Sequence, residues 1–148
     1  MDFEQMRAGF ELAIPFNQHL GLAVPELGPG RAVVTLPESP NLHNHVASQH
    51  AGALFTAGEA ASGGAFVASF AERLGDITPL AESADIAYRK IARGPVTATA
   101  TLGGPIDELL AELDREGKVR FPVEVELTNA DGDVVAEMTV RWYVRINK

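Results

Sequence analysis

The sequence predicts an α+β domain in which a curved antiparallel β-sheet wraps around one long central helix. Three observations carry that expectation. From Ala51 to Ala71, apolar or small residues fill most positions, too evenly for a narrow amphipathic stripe, and a helix apolar all round is a buried helix. From Val119 to Ile146, apolar and polar residues alternate on both sides of the turn Asn129-Ala130-Asp131-Gly132, which is the pattern of an antiparallel pair with one covered face. Gly28-Pro29-Gly30 is a strong turn signal between two shorter apolar runs.

Taken in order, the elements read α-β-β-α-β-β-α-β-β. Phe3, Met6, Phe10 and Ile14 share one helical face, and Pro15 ends that helix. Strands follow over Leu20–Leu27 and Arg31–Leu36, closed by Pro37-Glu38-Ser39-Pro40. The central helix takes its bulk from Leu54, Phe55, Phe66, Val67 and Phe70 and is expected to end near Leu74, with Gly75 as C-cap. Glycine in a helix interior costs roughly 0.5–1 kcal/mol relative to alanine. Gly58, Gly63 and Gly64 therefore imply that other backbone passes very close. Ile77-Thr78-Pro79 reads as a connector, and Ala84–Ile91 and Pro95–Leu102 as strands. Pro105 to Glu116 forms a short helix whose apolar face is Ile106, Leu109, Leu110 and Leu113, capped by Gly117. Pro122 puts its strand near an edge or at a bulge.

Composition narrows the class of function. A chain of 148 residues fits one domain that buries about two-thirds of its unfolded surface. Hydrophobic content of 46% and charged content of 22% are ordinary for a soluble globule. A net charge of −8 argues against nucleic acid as the main partner. The absence of cysteine excludes disulfides, a thiolate nucleophile and thiolate metal sites, and it fits a cytoplasmic protein. Met1 to Gln5 has no basic segment followed by an apolar run, so no secretory signal is expected. Glu59 and the glycines make the central helix a core element rather than a membrane span.

Glu59 is the chemical centre of the reading. A lone carboxylate in an apolar surface is costly unless paired, hydrogen-bonded or protonated. The bland interpretation is a rim residue that reaches solvent or an arginine. Asn44, Ser48, Gln49 and His50 lead directly into the helix start, however. The first turn of a helix carries unpaired N–H groups and partial positive charge, which stabilise an anion or a carbonyl oxygen becoming one. From Gly52 to Glu59 the helix rises about 10 Å, too far for one carbonyl to touch both. Two antiparallel copies would bring the carboxylate of one beside the helix start of the other, so a dimer with shared sites is expected.

Two further clusters have competing interpretations. His43, His45 and His50, with Glu59, offer a metal site, but the spacing matches no standard zinc signature. The expectation is no metal, with His43 and His45 in a polar loop. Arg89, Lys90 and Arg93 form the only basic cluster and suit the phosphates of coenzyme A. The competing interpretation is an exposed edge with balancing charges.

The run Asn44-(five residues)-His50-Ala51-Gly52-(six residues)-Glu59 resembles the Asn…His-Gly-Gly…Asp/Glu signature of hotdog-fold acyl-CoA thioesterases, of the phenylacetyl-CoA thioesterase type and the related uncharacterised hotdog domains. The resemblance implies that Glu59 is general base or nucleophile. It also implies that the Ala51 amide polarises the thioester carbonyl and that Asn44 and His50 orient substrate or water. Gly52 is the second glycine of the signature, and Ala51 replaces the first. The family's hydroxyl near the carboxylate is matched most closely by Ser62. Gln49, Ser62, Arg89, Lys90 and Arg93 are then expected on the substrate side. The Pro105–Glu116 helix is an insertion with room to cover part of the acyl site.

The implied protein is a homodimeric or tetrameric thioesterase acting on an acyl-CoA or related thioester. Coenzyme A enters only as part of the substrate, and no other cofactor, nucleic acid or membrane is involved. A non-catalytic acyl-CoA or fatty-acyl binding protein and a hotdog dehydratase or hydratase are the alternatives.

Overall fold

In the computed structural model, which describes residues 1–148, the chain runs α1 (Phe3–Ala13), α2 (Pro15–His19), β1 (Ala23–Gly28), β2 (Arg31–Leu36), α3 (Ala51–Ser69), β3 (Ile77–Tyr88), β4 (Val96–Leu102), α4 (Ile106–Glu116), β5 (Lys118–Asn129) and β6 (Val134–Ile146). The strands form one six-stranded antiparallel sheet in the order β1-β2-β4-β5-β6-β3. Inward positions of β5 and β6 (Val123, Val125, Leu127, Met138, Val140, Trp142) are buried, and the residues between them are mostly exposed. That alternation selects the face on which α3 lies.

Side chains, rather than the backbone expected, crowd Gly58 and Gly64, and Gly63 has only ordinary contacts. A Cβ at Gly58 would stand 2.6 Å from Met138 Sδ, and one at Gly64 would stand 3.0 Å from Ala32 Cβ. Both glycines let the helix sink onto the sheet. Phe66, Phe70, Phe121 and Trp142 stack at the C-terminal half of α3, with ring centroids 5.1–6.2 Å apart. This is the hotdog arrangement, a sheet curved around a long helix.

Several details differ from the sequence expectation, among them β1, which starts at Ala23 rather than Leu20 because α2 runs to His19 with Leu20 as its C-cap. The helix α3 stops at Ser69 with Phe70 as C-cap, and Ala71–Asp76 continues as a 3₁₀ turn. The Phe70 ring, locked between Phe66 and Phe121, fixes the chain there, so Gly75 caps nothing in α3. Pro15 ends α1 but also opens α2, where its missing N–H costs nothing. Ile77-Thr78-Pro79 is the start of β3, paired with Ile146, Arg145 and Val144. As an edge strand it tolerates Pro79, and it ends at Tyr88 rather than Ile91. Pro122 lies in β5, an interior strand. It is accepted because β4 has run out at Leu102↔Val123, and its carbonyl takes the Gly103 N–H at 2.8 Å.

The helix α4 buries Leu113 fully against the core. With α1 it borders a groove of ≈480 Å³ at the C-terminal end of α3, lined by Phe3, Phe70, Ile106 and Leu110. That is the far end of a helix about 28 Å long, so α4 does not cover the α3 start of its own chain. No helix is long and apolar enough to cross a membrane.

Candidate active site

The start of α3 is fixed by His50. Its extended backbone (φ −66°, ψ 141°) makes it the N-cap, and its Nδ1 accepts the Gly52 N–H at 2.8 Å. The accepting role places the proton of the neutral ring on Nε2. The His50 carbonyl accepts from Ala53 N at 2.9 Å and Leu54 N at 3.1 Å, and the His50 N–H donates to the Leu42 carbonyl at 2.9 Å. Among the first-turn donors, only the Ala51 N–H has no acceptor within the chain. It stands exposed at the positive end of the helix.

The loop before the helix is self-organised. Asn44 Oδ1 accepts from the N–H groups of Val46 and Ser48 at 3.0 and 3.1 Å. Asn44 Nδ2 donates to Ser48 Oγ at 2.9 Å. Both ends of that amide are engaged inside the loop. Ala47, at φ 57°, adopts the left-handed conformation that such a tight loop demands, at a cost of order 1–3 kcal/mol. Gln49 is buried. Its Nε2 donates to the Pro37 and Gly94 carbonyls at 3.0 and 2.9 Å, tying the loops after β2 and β3 together. Its buried Oε1 has no partner within the chain.

Glu59 lies two turns into α3 on the same stripe as Gly52, Phe55 and Thr56, the positions of the N-terminal half that the sheet leaves uncovered. Its carboxylate has no hydrogen bond or ion pair within the chain, and burial pushes its pKa up. An acid held this way is a stronger proton acceptor than an exposed one. Ser62 is placed otherwise than expected. It is fully buried, its hydroxyl donates to the Glu59 carbonyl at 2.7 Å, and it accepts from Trp142 Nε1 at 3.2 Å. Ser62 is one turn beyond Glu59 on nearly the same helix face, but there Trp142 covers it.

Two clefts flank the helix start. On one side a cleft of ≈360 Å³ is lined by Asn44, Ala51, Leu54, Tyr88, Arg89 and Lys90. On the other, one of ≈570 Å³ is lined by Phe16, Leu42, His43, His50, Gly52 and Phe55 among others. The larger hollow of ≈720 Å³ on the outer sheet face is lined by threonines and carboxylates and contains none of His50, Ala51 and Glu59. Arg89 pairs with Glu137 at 3.2 Å and Lys90 with Asp133 at 2.7 Å. Arg93 reaches only the Val46 carbonyl, at 3.4 Å. All three cations are exposed, so these pairs are weak and exchangeable.

His43 bonds to Glu38, His45 is exposed, and no three His, Asp or Glu side chains converge in a metal-binding group. One residue at the site carries no sequence signal. The Tyr88 hydroxyl donates to the Ala51 carbonyl at 3.1 Å, and burial pushes its phenol pKa up, which keeps it a donor. Only its place beside the basic cluster pointed toward the site. Together the free amide offers a developing oxyanion a donor at a helix N-terminus, and Glu59 offers a base, but along one helix they are about 12 Å apart.

Comparison with known proteins adds the family. A Pseudomonas aeruginosa protein, PA5026, described as a protein of unknown function and probable thioesterase, is 31% identical over 99% of this chain and 97% of its own, with a TM-score of 0.89. The E. coli PaaI protein of the phenylacetic acid degradation operon shares the fold, at 21% identity over 98% of this chain and 93% of its own, with a TM-score of 0.76. A Chlorobaculum tepidum protein of unknown function, OLEI01261, shares it at 17% identity over 97% and 94% of the two chains, with a TM-score of 0.82. No curated protein matches. The family profile described as a domain of unknown function, DUF4442, matches residues 4–144. The chain therefore belongs to the DUF4442 family, within the hotdog-fold thioesterase-like superfamily.

Proposed function

We propose that the protein is a thioesterase that hydrolyses an acyl-CoA or related acyl thioester, with each site built from two copies of the chain. The observation that carries this reading is the pairing of an unclaimed Ala51 N–H at a helix N-terminus with an unpartnered Glu59 of raised pKa on the same open stripe. The probable thioesterase name of the PA5026 protein supports it.

The thioester carbonyl oxygen rests on the Ala51 amide of one copy, and Glu59 of the other takes a proton from water. The resulting hydroxide bonds to the carbonyl carbon, and the developing charge moves onto the oxygen at Ala51. The carbon–sulfur bond then breaks with its electron pair on sulfur, and the proton held by Glu59 neutralises the thiolate. The products are the carboxylic acid, which releases its proton to solvent, and the free thiol. Direct attack by Glu59 uses the same carboxylate in the same place. His50 Nε2–H orients the thioester, and Arg89 and Lys90 meet the phosphates of coenzyme A by exchanging their carboxylate partners.

One observation favours a second reading. The Asn44 amide is engaged within its loop, which suits a module that binds acyl thioesters without hydrolysing them. Thiol release from short, medium, long and aromatic acyl-CoAs separates the two. Hydrolysis predicts release that falls by about 10² or more in Glu59→Gln. Binding of the esters with no release by the unaltered protein refutes hydrolysis.

A further inference from the structure

The Ala51–Gly52 peptide is gripped at both ends. Tyr88 Oη, at the end of the edge strand β3, donates to its carbonyl at 3.1 Å, and its N–H donates to His50 Nδ1 at 2.8 Å. These bonds form one chain: Tyr88 O–H to Ala51 C=O, then Gly52 N–H to His50 Nδ1, with Nε2–H at the open end. A hydrogen bond to a peptide carbonyl polarises the whole unit and strengthens the bond its N–H makes. We propose that Tyr88 is a positioning residue that acts through the Ala51–Gly52 peptide to hold the His50 ring in its Nε2–H tautomer and to hold the helix start beneath the Ala51 donor. This rests on the thioesterase reading for its consequence in turnover, but not for the hydrogen-bond chain itself.

Two aspects of the position support the assignment. Tyr88 is about half exposed (48%), so its ring is not needed to fill the core. It also lines the same cleft as Ala51 and Leu54, so its hydroxyl is reached from the side where Arg89 and Lys90 stand. No other side chain of β3 bonds to α3.

The test is Tyr88→Phe, which removes one oxygen and keeps the ring. The first readout is the ¹⁵N spectrum of the His50 ring together with the amide signal and exchange rate of Gly52. The expected result is a well-defined Nε2–H tautomer in the unaltered protein, and in Tyr88→Phe a mixed tautomer with faster Gly52 exchange. Unchanged ring and amide signals overturn the proposal. The second readout is turnover of the best acyl-CoA. A kcat lowered about two- to tenfold, the value of one neutral hydrogen bond, with KM unchanged supports it. A rise in KM alone overturns the positioning role. If the unaltered protein releases no thiol, the thioesterase reading fails while the spectra still decide the role of Tyr88. Tyr88→Ala supplies a control: loss of the same signals in Tyr88→Ala but not in Tyr88→Phe assigns the effect to the ring and overturns the proposal.

Discussion

Ala51→Pro is a deletion of one hydrogen-bond donor with almost nothing else attached. Ala51 is the first residue of α3, the helical position where proline is best tolerated. The residue before a proline must be extended, with ψ between about +120° and +160°, and His50 already sits at ψ 141°. The Ala51 N–H has no acceptor in the chain, so no internal bond is lost. Its carbonyl, which receives the Tyr88 hydroxyl, is retained. At a compatible site proline stabilises by about 0.4–1 kcal/mol through the unfolded state. The melting temperature should therefore stay within about 2–4 °C of the unaltered protein. Turnover should fall by about 10²–10³, or about 2.7–4 kcal/mol, the value of one oxyanion donor. Thiol release and a thermal melt on the same sample measure both. Gly52→Pro is the contrast: it removes the N–H held by His50 Nδ1, a cap worth about 0.5–2 kcal/mol, and it also disfavours the helical backbone of Ala51 before it, so it should lower stability by more than the cap alone. A folded Ala51→Pro protein with undiminished kcat would refute the oxyanion role. An unfolded one would refute the claim that the amide is free.

Three other outcomes follow from the same geometry. Burial raises the pKa of Glu59, so in the interval above the ordinary carboxylate value the folded state binds more protons than the unfolded one, and stability falls as pH rises. Glu59→Gln should match the unaltered protein in acid and be the more stable at neutral pH, as denaturant melts at both pH values would read; equal stability at neutral pH counts against a desolvated carboxylate. Arg89→Glu with Lys90→Glu should change stability by less than about 1 kcal/mol, because both ion pairs are exposed. The same pair should raise KM for acyl-CoAs and leave it unaltered for phosphate-free N-acetylcysteamine thioesters. Ala51→Pro and Glu59→Gln, each inactive alone, should recover about a quarter of full activity when co-refolded as a C2 dimer, since half the dimers are mixed and each mixed dimer holds one intact shared site; no recovery would place each site within one chain.

Periodicity made some elements legible and burial explains which. The α3 helix is readable because Leu54, Ala57, Ala61, Ala65 and Phe66 are buried and even the open stripe carries mostly small or apolar residues, so no polar face interrupts the run. The β5–β6 hairpin was readable because one face is dry and the other wet. Ile77-Thr78-Pro79 looks like a connector in the sequence because β3 is an edge strand, with Pro79, Leu80, Ala81, Glu82 and Ser83 all exposed and no alternation to detect. Spacing places Ser62 one helical turn from Glu59, but the covering Trp142 comes from β6, 80 residues away, and no local pattern announces it. Asn44 fell at the expected distance from Ala51, yet the destination of its amide is set by how Ser48 folds back on it. Tyr88 joins Ala51 across the fold, and no local pattern encodes such a contact.

A single chain leaves three costs on its surface. Glu59 is an acid without a partner, in a position where an ionised carboxylate is expensive. Phe55 and Thr56 share its stripe with no covering element. The outer edge of β3 presents unpaired backbone along Ile77–Tyr88, with Leu80 58% exposed, although such edges invite pairing. Any one of these is common in a monomer. A second copy would relieve all three, and Phe55, Thr56 and Glu59 lie within about two turns of the helix start that holds the free Ala51 N–H. An antiparallel neighbour would cover the Phe55 stripe and supply the amide that lies about 12 Å out of reach along the same helix. In that arrangement the raised pKa of Glu59 is a property the reaction uses, and its stability cost is offset by association rather than by any contact within the chain.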